Sequence, residues 1–241
     1  MDTEKIGRID VHCHLLPGVD DGCETLEESI ACARTFVNNG YTHVFCTPHI
    51  WPSLPRNTVS NIRQWTRALQ DELDRRLIPL RLLPGGEINL NPDYHKIDPG
   101  QVVTYAMAGR HVIFDLWADR LPPFFTPTVK WLQSLGLTVI LAHPERMRAV
   151  QDEPILANYF EELGVLLQGN LQCFADAPGA ATRVTAERFL AENRYFCLGT
   201  DCHGRSSLDN RLAGLANVMR IADDQTIDRL TRQNPAKLLP K

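Results

Sequence analysis

A short stretch near the start of the chain, RIDVHCHLLPGVDDG (residues 8–22), combines the side chains that metal sites use. His12 and His14 end an apolar run and stand two residues apart, so both point to the same side of an extended strand. Asp20 and Asp21 follow beyond a Pro-Gly step. Because neutral imidazole is the commonest metal ligand in proteins, we predict that this strand end binds a metal.

Similar side chains follow most of the later apolar runs of the chain. The candidate ligands beyond His12, His14 and Asp21 are His49, Glu87, Asp115, His143, Asp201 and His203. Four carboxylates on one rim would repel one another, and burial would raise their pKa values. Two or three divalent cations would neutralise that charge, and a mixed nitrogen and oxygen ligand set suits manganese, iron or zinc.

Each of these residues also has a structural explanation when it is taken alone. A single buried histidine more often satisfies its hydrogen bonds inside a core than binds a metal. Asp20 and Asp21 could form an ordinary turn or a helix cap, and Asp115 could pair with Arg110 or Arg120. Their joint placement at successive strand ends is what favours a metal site.

The elements that must position these residues alternate along nearly the whole chain. Strands are predicted at residues 9–14, 42–47, 80–83, 111–116, 138–142, 165–167 and 195–198. A capping box at Thr25 and Glu28 opens the first helix, which should stop at Asn39 and Gly40. Later helices are predicted over residues 62–73, 127–135, 155–163, 181–191 and 212–221. Repeated strand-helix units imply a parallel sheet with helices outside it.

Six or seven such units could close into a barrel or stay open as a doubly wound sheet. An open sheet gathers its site at one switch point. Here the candidate ligands follow nearly every strand, and the carboxyl rim of the strands is where barrels build their active sites. We therefore predict one α/β domain over residues 1–241, closed as a barrel, with the metal site at its C-terminal rim.

Composition narrows the class of function. The formal net charge of −4 argues against a nucleic-acid-binding surface. The first residues lack an apolar segment of signal-peptide length, and no run reaches the length of a membrane span. We expect a cytoplasmic enzyme that does not insert into a membrane. The seven cysteines form no CxxC pair, and no arginine stands six residues after any of them, so a cysteine-dependent phosphatase loop is absent from the sequence.

The ordered motifs DVHCHLLPGVDDG, CTPH, LPGGEINL, AHPER, GTDCH and NPAKLL span nearly the whole chain. They resemble the polymerase and histidinol phosphatase (PHP) superfamily and, within it, the bacterial capsule-synthesis tyrosine phosphatases. The resemblance implies a distorted (β/α)7 barrel of the PHP type with up to three divalent ions, most simply Mn²⁺, at the C-terminal rim.

The resemblance also implies how the ligands are shared among the metals. The first metal is implied to bind His12, His14, Glu87 and Asp201, and the second Glu87, Asp115 and His143. The third is implied to bind Asp21, His49 and His203. The family usually has glutamate at the position of Asp115, so this shorter side chain must either draw the metal inward or leave a water between.

Two phosphate-binding arginines are implied as well. Arg146, in the HPER motif, matches the first of them. The family has a second arginine shortly after the last histidine; Arg205 and Arg211 are the candidates here, and neither has the family spacing. We predict Arg146 and Arg205 as the catalytic pair.

The implied reaction is hydrolysis of a phosphotyrosine ester by a metal-activated hydroxide. The implied partner is a phosphotyrosine protein, a bacterial tyrosine autokinase of capsule or exopolysaccharide synthesis. The alternatives are a small-molecule phosphatase such as histidinol phosphatase on the same site, a non-catalytic metal-binding domain, and a phosphodiesterase acting on DNA ends. The segments IWPSLPRNT and LWADRLPPFF could flank the mouth and contact a phenyl ring, or could only pack loops on the barrel.

Overall fold

The computed structural model describes residues 6–240, and its strands form a closed parallel barrel. The nine strands are β1 (Arg8–Cys13), β2 (Tyr41–Cys46), β3 (His49–Ile50), β4 (Arg81–Pro84), β5 (Glu87–Asn89), β6 (His111–Asp115), β7 (Thr138–Ala142), β8 (Leu166–Asn170) and β9 (Tyr195–Gly199). All pairings are parallel; one sheet runs β1-β2-β4 and the other β3-β5-β6-β7-β8-β9.

Nine strands fill seven barrel positions because two positions are interrupted. Thr47 and Pro48 separate β2 from β3, and Gly85 and Gly86 separate β4 from β5. Backbone hydrogen bonds continue across both breaks: Gly85 N–H donates to Cys46 O at 2.8 Å, and Glu87 N–H donates to the Pro48 carbonyl at 3.1 Å. The two breaks let β3 and β5 carry polar side chains at the rim.

The barrel closes between its first and last strands. Cys13 forms an isolated parallel bridge with Cys202, just beyond β9. The Asp201 N–H donates to His12 O at 2.7 Å, and the His14 N–H donates to Cys202 O at 3.0 Å. The predicted distorted (β/α)7 barrel is therefore confirmed, and its closure brings the first and last ligand-rich segments together.

The helices lie outside the barrel. They are α1 (Leu26–Asn38), α2 (Val59–Arg75), α3 (Phe125–Ser134), α4 (Arg148–Asp152), α5 (Leu156–Glu162), α6 (Leu171–Ala175), α7 (Ala181–Ala191), α8 (Arg205–Ile221), α9 (Asp224–Asp228) and α10 (Asn234–Ala236). Thr25 caps α1 as predicted, accepting from Glu28 N–H at 3.2 Å. Glu28 accepts from Glu24 N–H and from Arg205 N–H, so it links the starts of α1 and α8. None of the helices within residues 6–240 is long and apolar enough to cross a membrane.

Two apolar clusters hold this arrangement. The larger one lies between the strands and the helices, and the smaller one fills the barrel interior with residues such as Val11, Phe45 and Ile140. Leu238, from the NPAKLL motif, belongs to the interior cluster. Arg110, the residue before β6, donates to Leu239 O at 2.6 Å. The C-terminal segment therefore closes the end of the barrel opposite the polar rim.

The seven predicted strand positions and most predicted helices agree with the structure to within a few residues, but the last helix starts earlier than predicted and several short elements were not predicted. Between β5 and β6 the chain forms only 3-10 turns, the last of which (Tyr105–Met107) includes Ala106 with a positive φ of 55°. The helix predicted over residues 212–221 begins earlier, at Arg205, because Glu28 accepts the Arg205 N–H. That residues 1–241 form a single domain stays a prediction, since residues 1–5 and 241 lie outside the described part of the chain.

Candidate metal centre

The carboxyl ends of the strands deliver all nine predicted ligands to one rim. They are His12 and His14 around the end of β1, Asp21 in the following loop, His49 in β3, Glu87 in β5, Asp115 in β6, His143 after β7, and Asp201 and His203 after β9. Seven of these side chains are buried, His203 is half-buried, and Asp21 is exposed. The centre therefore has a closed floor and one open side.

Two imidazoles and two carboxylates meet at the floor of the centre. The Nε2 atoms of His12 and His14 lie 3.3 Å apart. Glu87 Oε2 lies 3.3 and 3.5 Å from these two nitrogens, and Asp201 Oδ1 lies 3.4 and 3.3 Å from them. Donors that share a tetrahedral cation with bonds of about 2.1 Å lie about 3.4 Å apart, so the imidazole pair with either carboxylate fits a shared cation.

The buried Oε2 atom of Glu87 gives independent support for a bound cation. Glu87 is 1% exposed, yet its Oε2 makes no hydrogen bond, although His49 Nδ1 lies 2.8 Å away. The His49 Nδ1 atom likewise makes none. Leaving a buried carboxylate oxygen without a partner costs free energy. A bound cation would remove that cost, so the chemistry of the donor set fits a divalent metal.

The predicted division of the ligands among three metals is reproduced in part by proximity. Three groups of side chains bring their donor atoms within 4.8 Å of one another: His12, His14 and Glu87; His14, Asp21, His49 and His203; and His49, Glu87 and Asp115. His143 contacts Glu87 Oε1 through Nε2 at 3.0 Å. The structure thus adds His14 to the predicted third set and places His49, rather than His143, with Asp115. The division stays a prediction.

Two hydrogen bonds aim the floor imidazoles at the centre. His12 Nδ1 pairs with Gln168 Oε1 at 2.7 Å, and His14 Nδ1 pairs with Asp20 Oδ2 at 2.7 Å. Each bond leaves Nε2 facing the carboxylates, which is how partners outside a metal's own ligands fix a histidine. Asp20 also accepts from His49 N–H at 3.0 Å, so one carboxylate orients two of the strand ends.

Close packing and strained backbone also shape the rim. A Cβ on Gly22 would lie 2.2 Å from His14 O, so only glycine lets the Asp20–Asp21 turn approach β1. His143 and Asp201 adopt left-handed backbone conformations, with φ values of 35° and 52°. Non-glycine residues in this region cost free energy and concentrate at functional sites.

Burial and neighbouring charges shift the pKa values of the histidines and carboxylates in the centre. Burial opposes charging of His12, but Glu87 and Asp201 raise the pKa of His12 to about 9. Despite burial, the facing imidazoles lower the pKa values of Glu87 and Asp201. Burial lowers the pKa of His143, which keeps that imidazole neutral. Two carboxylates are therefore charged at neutral pH, and a metal would displace the His12 proton.

The Asp115 carboxylate is held in place by hydrogen bonds from two side chains. Its Oδ1 accepts from Asn89 Nδ2 at 3.2 Å, and its Oδ2 accepts from the Trp117 indole N–H. Burial, together with the charge of Glu87, raises the pKa of Asp115 to about 8. These two neutral donors therefore fix the position of the shorter side chain.

Arg146 lies where the centre meets an open cavity. Its Nη1 donates to Asp201 Oδ2 at 2.9 Å, and its side chain is one-third exposed. The cavity has a volume of about 430 Å³ and is lined by Arg146, His143 and Trp117 among others. A guanidinium at the edge of a carboxylate-rich centre can bind two oxygens of an anion at once.

The second predicted arginine lies elsewhere. The Arg205 guanidinium pairs with Asp209 one turn along α8, on the helix surface. Arg211 is half-buried, and its Nε has no hydrogen-bond partner. Burial lowers the pKa of Arg211, and the negative charge of Asp201 partly opposes that shift. The structure therefore brings Arg146 to the cluster and leaves Arg205 in a surface ion pair.

Four residues contact the predicted ligands in ways that the sequence did not predict. Asp20 was considered only for a turn or a helix cap, although its position beside Asp21 was a signal. Gln168 and Asn170 lie in the last part of β8, and Asn170 donates to Asp201 Oδ2 at 2.8 Å. Trp117 lies in the segment that was predicted to flank the mouth and contact a phenyl ring, but its contact with Asp115 was not predicted. These residues contact ligands rather than serving as ligands, and their residue types carry no sequence signature for that task.

Known protein families and individual proteins match this chain over most of its length. The model of the family described as "Capsular polysaccharide synthesis, CpsB/CapC" matches residues 8–240. The tyrosine-protein phosphatase YwqE of Bacillus subtilis (strain 168) is 27% identical over 81% of this chain and 77% of its own. The tyrosine-protein phosphatase CpsB of Streptococcus agalactiae is 26% identical over 88% of each chain.

A solved structure agrees at the level of the backbone. It comes from work on YwqE from Bacillus subtilis and CpsB from Streptococcus pneumoniae, described there as unique metal-dependent tyrosine phosphatases. It superposes with a TM-score of 0.81 at 25% identity, covering 92% of this chain and 90% of the other. The similarity therefore extends over nearly the whole backbone of the barrel.

Proposed function

This chain belongs to the CpsB/CapC family of capsular polysaccharide synthesis, and we propose that it is a metal-dependent protein-tyrosine phosphatase. The observation that carries the proposal is the buried Glu87 carboxylate, whose Oε2 faces three imidazoles without a hydrogen bond. The guanidinium of Arg146 lies at the edge of the same centre, where it donates to Asp201. The relatives named tyrosine-protein phosphatases favour this function over the small-molecule phosphatase that the sequence left as an alternative.

The nine side chains of the rim are proposed to hold up to three divalent ions, Mn²⁺ in the simplest case. Bound ions of this kind supply positive charge and lower the pKa of water. The nitrogen and oxygen donors, with no thiolate among them, support manganese, iron or zinc. Gln168 and Asp20 would keep the His12 and His14 rings oriented during repeated turnover.

Arg146 is proposed to bind the phosphate of the substrate. In the structure its Nη1 donates to Asp201, and its side chain lines the cavity. The planar guanidinium matches two phosphate oxygens at once and offsets the charge that develops on them. Arg211 is a second candidate for this role, because it is half-buried and its Nε has no hydrogen-bond partner. Arg205, predicted from the sequence, is less well placed because it pairs with Asp209.

The substrate is proposed to be a phosphotyrosine protein, and its source a bacterial tyrosine autokinase of capsule or exopolysaccharide synthesis. The family description supports the capsular setting. A tyrosine leaving group, with a pKa near 10, needs less protonation than an alkoxide. We also propose that the protein works in the cytoplasm, where such a kinase would present its phosphorylated tail.

Side-by-side kinetics test this function. The purified protein is stripped of ions with a chelator, reloaded with Mn²⁺, and assayed on a phosphotyrosine peptide and on histidinol phosphate. We expect no turnover after stripping, recovery with Mn²⁺, and a higher kcat/KM for the peptide. A preference for histidinol phosphate, or turnover that is indifferent to stripping, would contradict the proposal.

A further inference from the structure

Trp117 is unusually exposed for a tryptophan. Its side chain is 65% exposed, whereas the chain's other tryptophans, Trp51, Trp65 and Trp131, are half-buried. It follows β6 directly, two residues after Asp115. Its exposed indole is therefore available to contact a ligand at the neighbouring site.

The exposed ring is nevertheless held in place from two sides. Its indole N–H donates to Asp115 Oδ2. The guanidinium carbon of Arg146 lies 5.4 Å from the centroid of the ring, within the range of a cation-π contact. One residue thus contacts both a proposed metal ligand and the proposed phosphate-binding arginine.

The ring also forms a wall of the cavity that opens onto the centre. That cavity, of about 430 Å³, has polar lining residues, which include His143, Arg146, Asp119, Arg148 and Thr182, and four apolar ones, Leu116, Trp117, Ala118 and Met147. A phosphate held by Arg146 would place the group esterified to it inside this cavity. The apolar wall would then face the organic part of the ester.

We propose that Trp117 is a specificity-determining residue that gives the enzyme its preference for aryl over alkyl phosphate esters. The proposal rests on the proposed phosphatase function and names the part of the site that selects its substrate class. The indole offers the substrate's phenyl ring a flat surface that is already fixed by Asp115 and Arg146, so little freedom is lost on binding. Offset or edge-to-face aromatic pairs of this kind are worth roughly 3- to 10-fold in affinity.

A purely structural role would give a different result. If Trp117 only held Asp115 through its N–H, any residue with a suitable donor would replace it. Trp117→Gln keeps an N–H donor but lacks an aromatic face, whereas Trp117→Phe keeps an aromatic face but lacks the donor. The two variants therefore separate the two roles.

The test is calorimetric and does not depend on turnover. The Mn²⁺-loaded wild type, Trp117→Gln and Trp117→Phe are titrated with phenylphosphonate and with methylphosphonate. We expect the ratio of the two dissociation constants to favour phenylphosphonate in the wild type. Trp117→Gln should lower that ratio roughly 3- to 10-fold, and Trp117→Phe should largely preserve it. Trp65→Gln is the matched control, because Arg56 lies 5.9 Å from the Trp65 ring, away from this cavity; it should leave the ratio unchanged.

The proposal is overturned if Trp117→Gln keeps the wild-type ratio, which would assign Trp117 to holding Asp115 alone. It is also overturned if Trp117→Phe lowers the ratio as much as Trp117→Gln does, because an aromatic face would then not be what selects the ester. Failure of the phosphatase function itself would look different: the wild type would then show no Mn²⁺-dependent hydrolysis of a phosphotyrosine peptide, whatever the ratio of dissociation constants.

Discussion

Two buried acidic side chains, Glu87 at the rim and Asp10 within β1, show how this barrel separates function from structure. Each is 1% exposed. Both oxygens of Asp10 accept from Thr200, through its N–H at 2.8 Å and its hydroxyl at 2.5 Å. Glu87 instead faces the imidazoles of His12, His14 and His49, and one of its oxygens has no hydrogen bond.

The pKa values of the two groups move in opposite directions. Burial raises the pKa of Asp10 to about 7. The hydrogen bonds from Thr200 act in the opposite direction, but they come from neutral donors and do not offset the effect of burial. Burial would do the same to Glu87, but the imidazoles facing it lower its pKa. A buried carboxyl with neutral donors on both oxygens holds strands together. A buried carboxylate among imidazoles, with one oxygen left over, is arranged to accept a cation.

The largest effect should come from removing the charge that distinguishes the two sites. Glu87→Gln keeps the size of the side chain but loses its charge, so we expect turnover on a phosphotyrosine peptide to fall by more than roughly 100-fold, beyond the range of partners outside the metal's own ligands. Asp10→Asn is the matched change at the structural site and should keep the wild-type kcat. Equal losses of turnover in Glu87→Gln and Asp10→Asn would contradict the assignment of Glu87 to function and Asp10 to structure.

A smaller effect is expected one hydrogen bond away from the cation. Asp20→Asn retains an acceptor for His14 Nδ1 but removes the negative charge behind the ring. We expect the affinity for Mn²⁺, measured by titration of the metal-free protein, to fall about 10- to 100-fold. Asp209→Asn, an exposed carboxylate on α8, should leave that affinity unchanged. An unchanged affinity in Asp20→Asn would mean that Asp20 serves only the turn.

The smallest effect concerns stability rather than activity. Asp10 keeps its proton in the folded state up to about pH 7, whereas the unfolded chain releases it near the ordinary value of 3.8. The folded state therefore binds more protons between these values, and the free energy of unfolding should fall as the pH rises from about 4 to about 7. Asn at this position cannot titrate, so Asp10→Asn should have a shallower slope.

Urea unfolding of the chelator-treated protein at pH 5 and pH 8 measures this slope, since metal removal eliminates pH-dependent metal binding. Glu145, whose pKa burial also raises to about 7, should supply part of the slope that remains in the variant. Identical slopes for the wild type and Asp10→Asn would show that Asp10 is charged in the folded state, as Glu87 is, and would contradict the contrast drawn between them.

Much of the fold followed from local patterns in the sequence. The apolar runs located seven strand positions, and Thr25 and Asn39–Gly40 bounded α1 because capping and helix termination are local. The short strands β3 and β5 were not predicted, since two or three residues carry no periodicity. Their pairing depends on β2 and β4 continuing through a break, which is a contact between distant segments.

The sequence by itself determined which side chains are available for chemistry, because residue type and the strand that precedes it are local properties. His12, His14, Glu87 and Asp201 were predicted on that basis, and the barrel brings them together. Only the tertiary structure decided which partners orient them. Gln168 and Asp20 reach the ring nitrogens of His12 and His14, and Arg146 rather than Arg205 reaches the centre. The reason is that Gln168 lies 156 residues from His12 and Arg146 lies 55 residues from Asp201, so these contacts are fixed by how the barrel closes and not by spacing along the chain. Asp20 lies only six residues from His14, but its contact depends on how the intervening turn folds back onto β1.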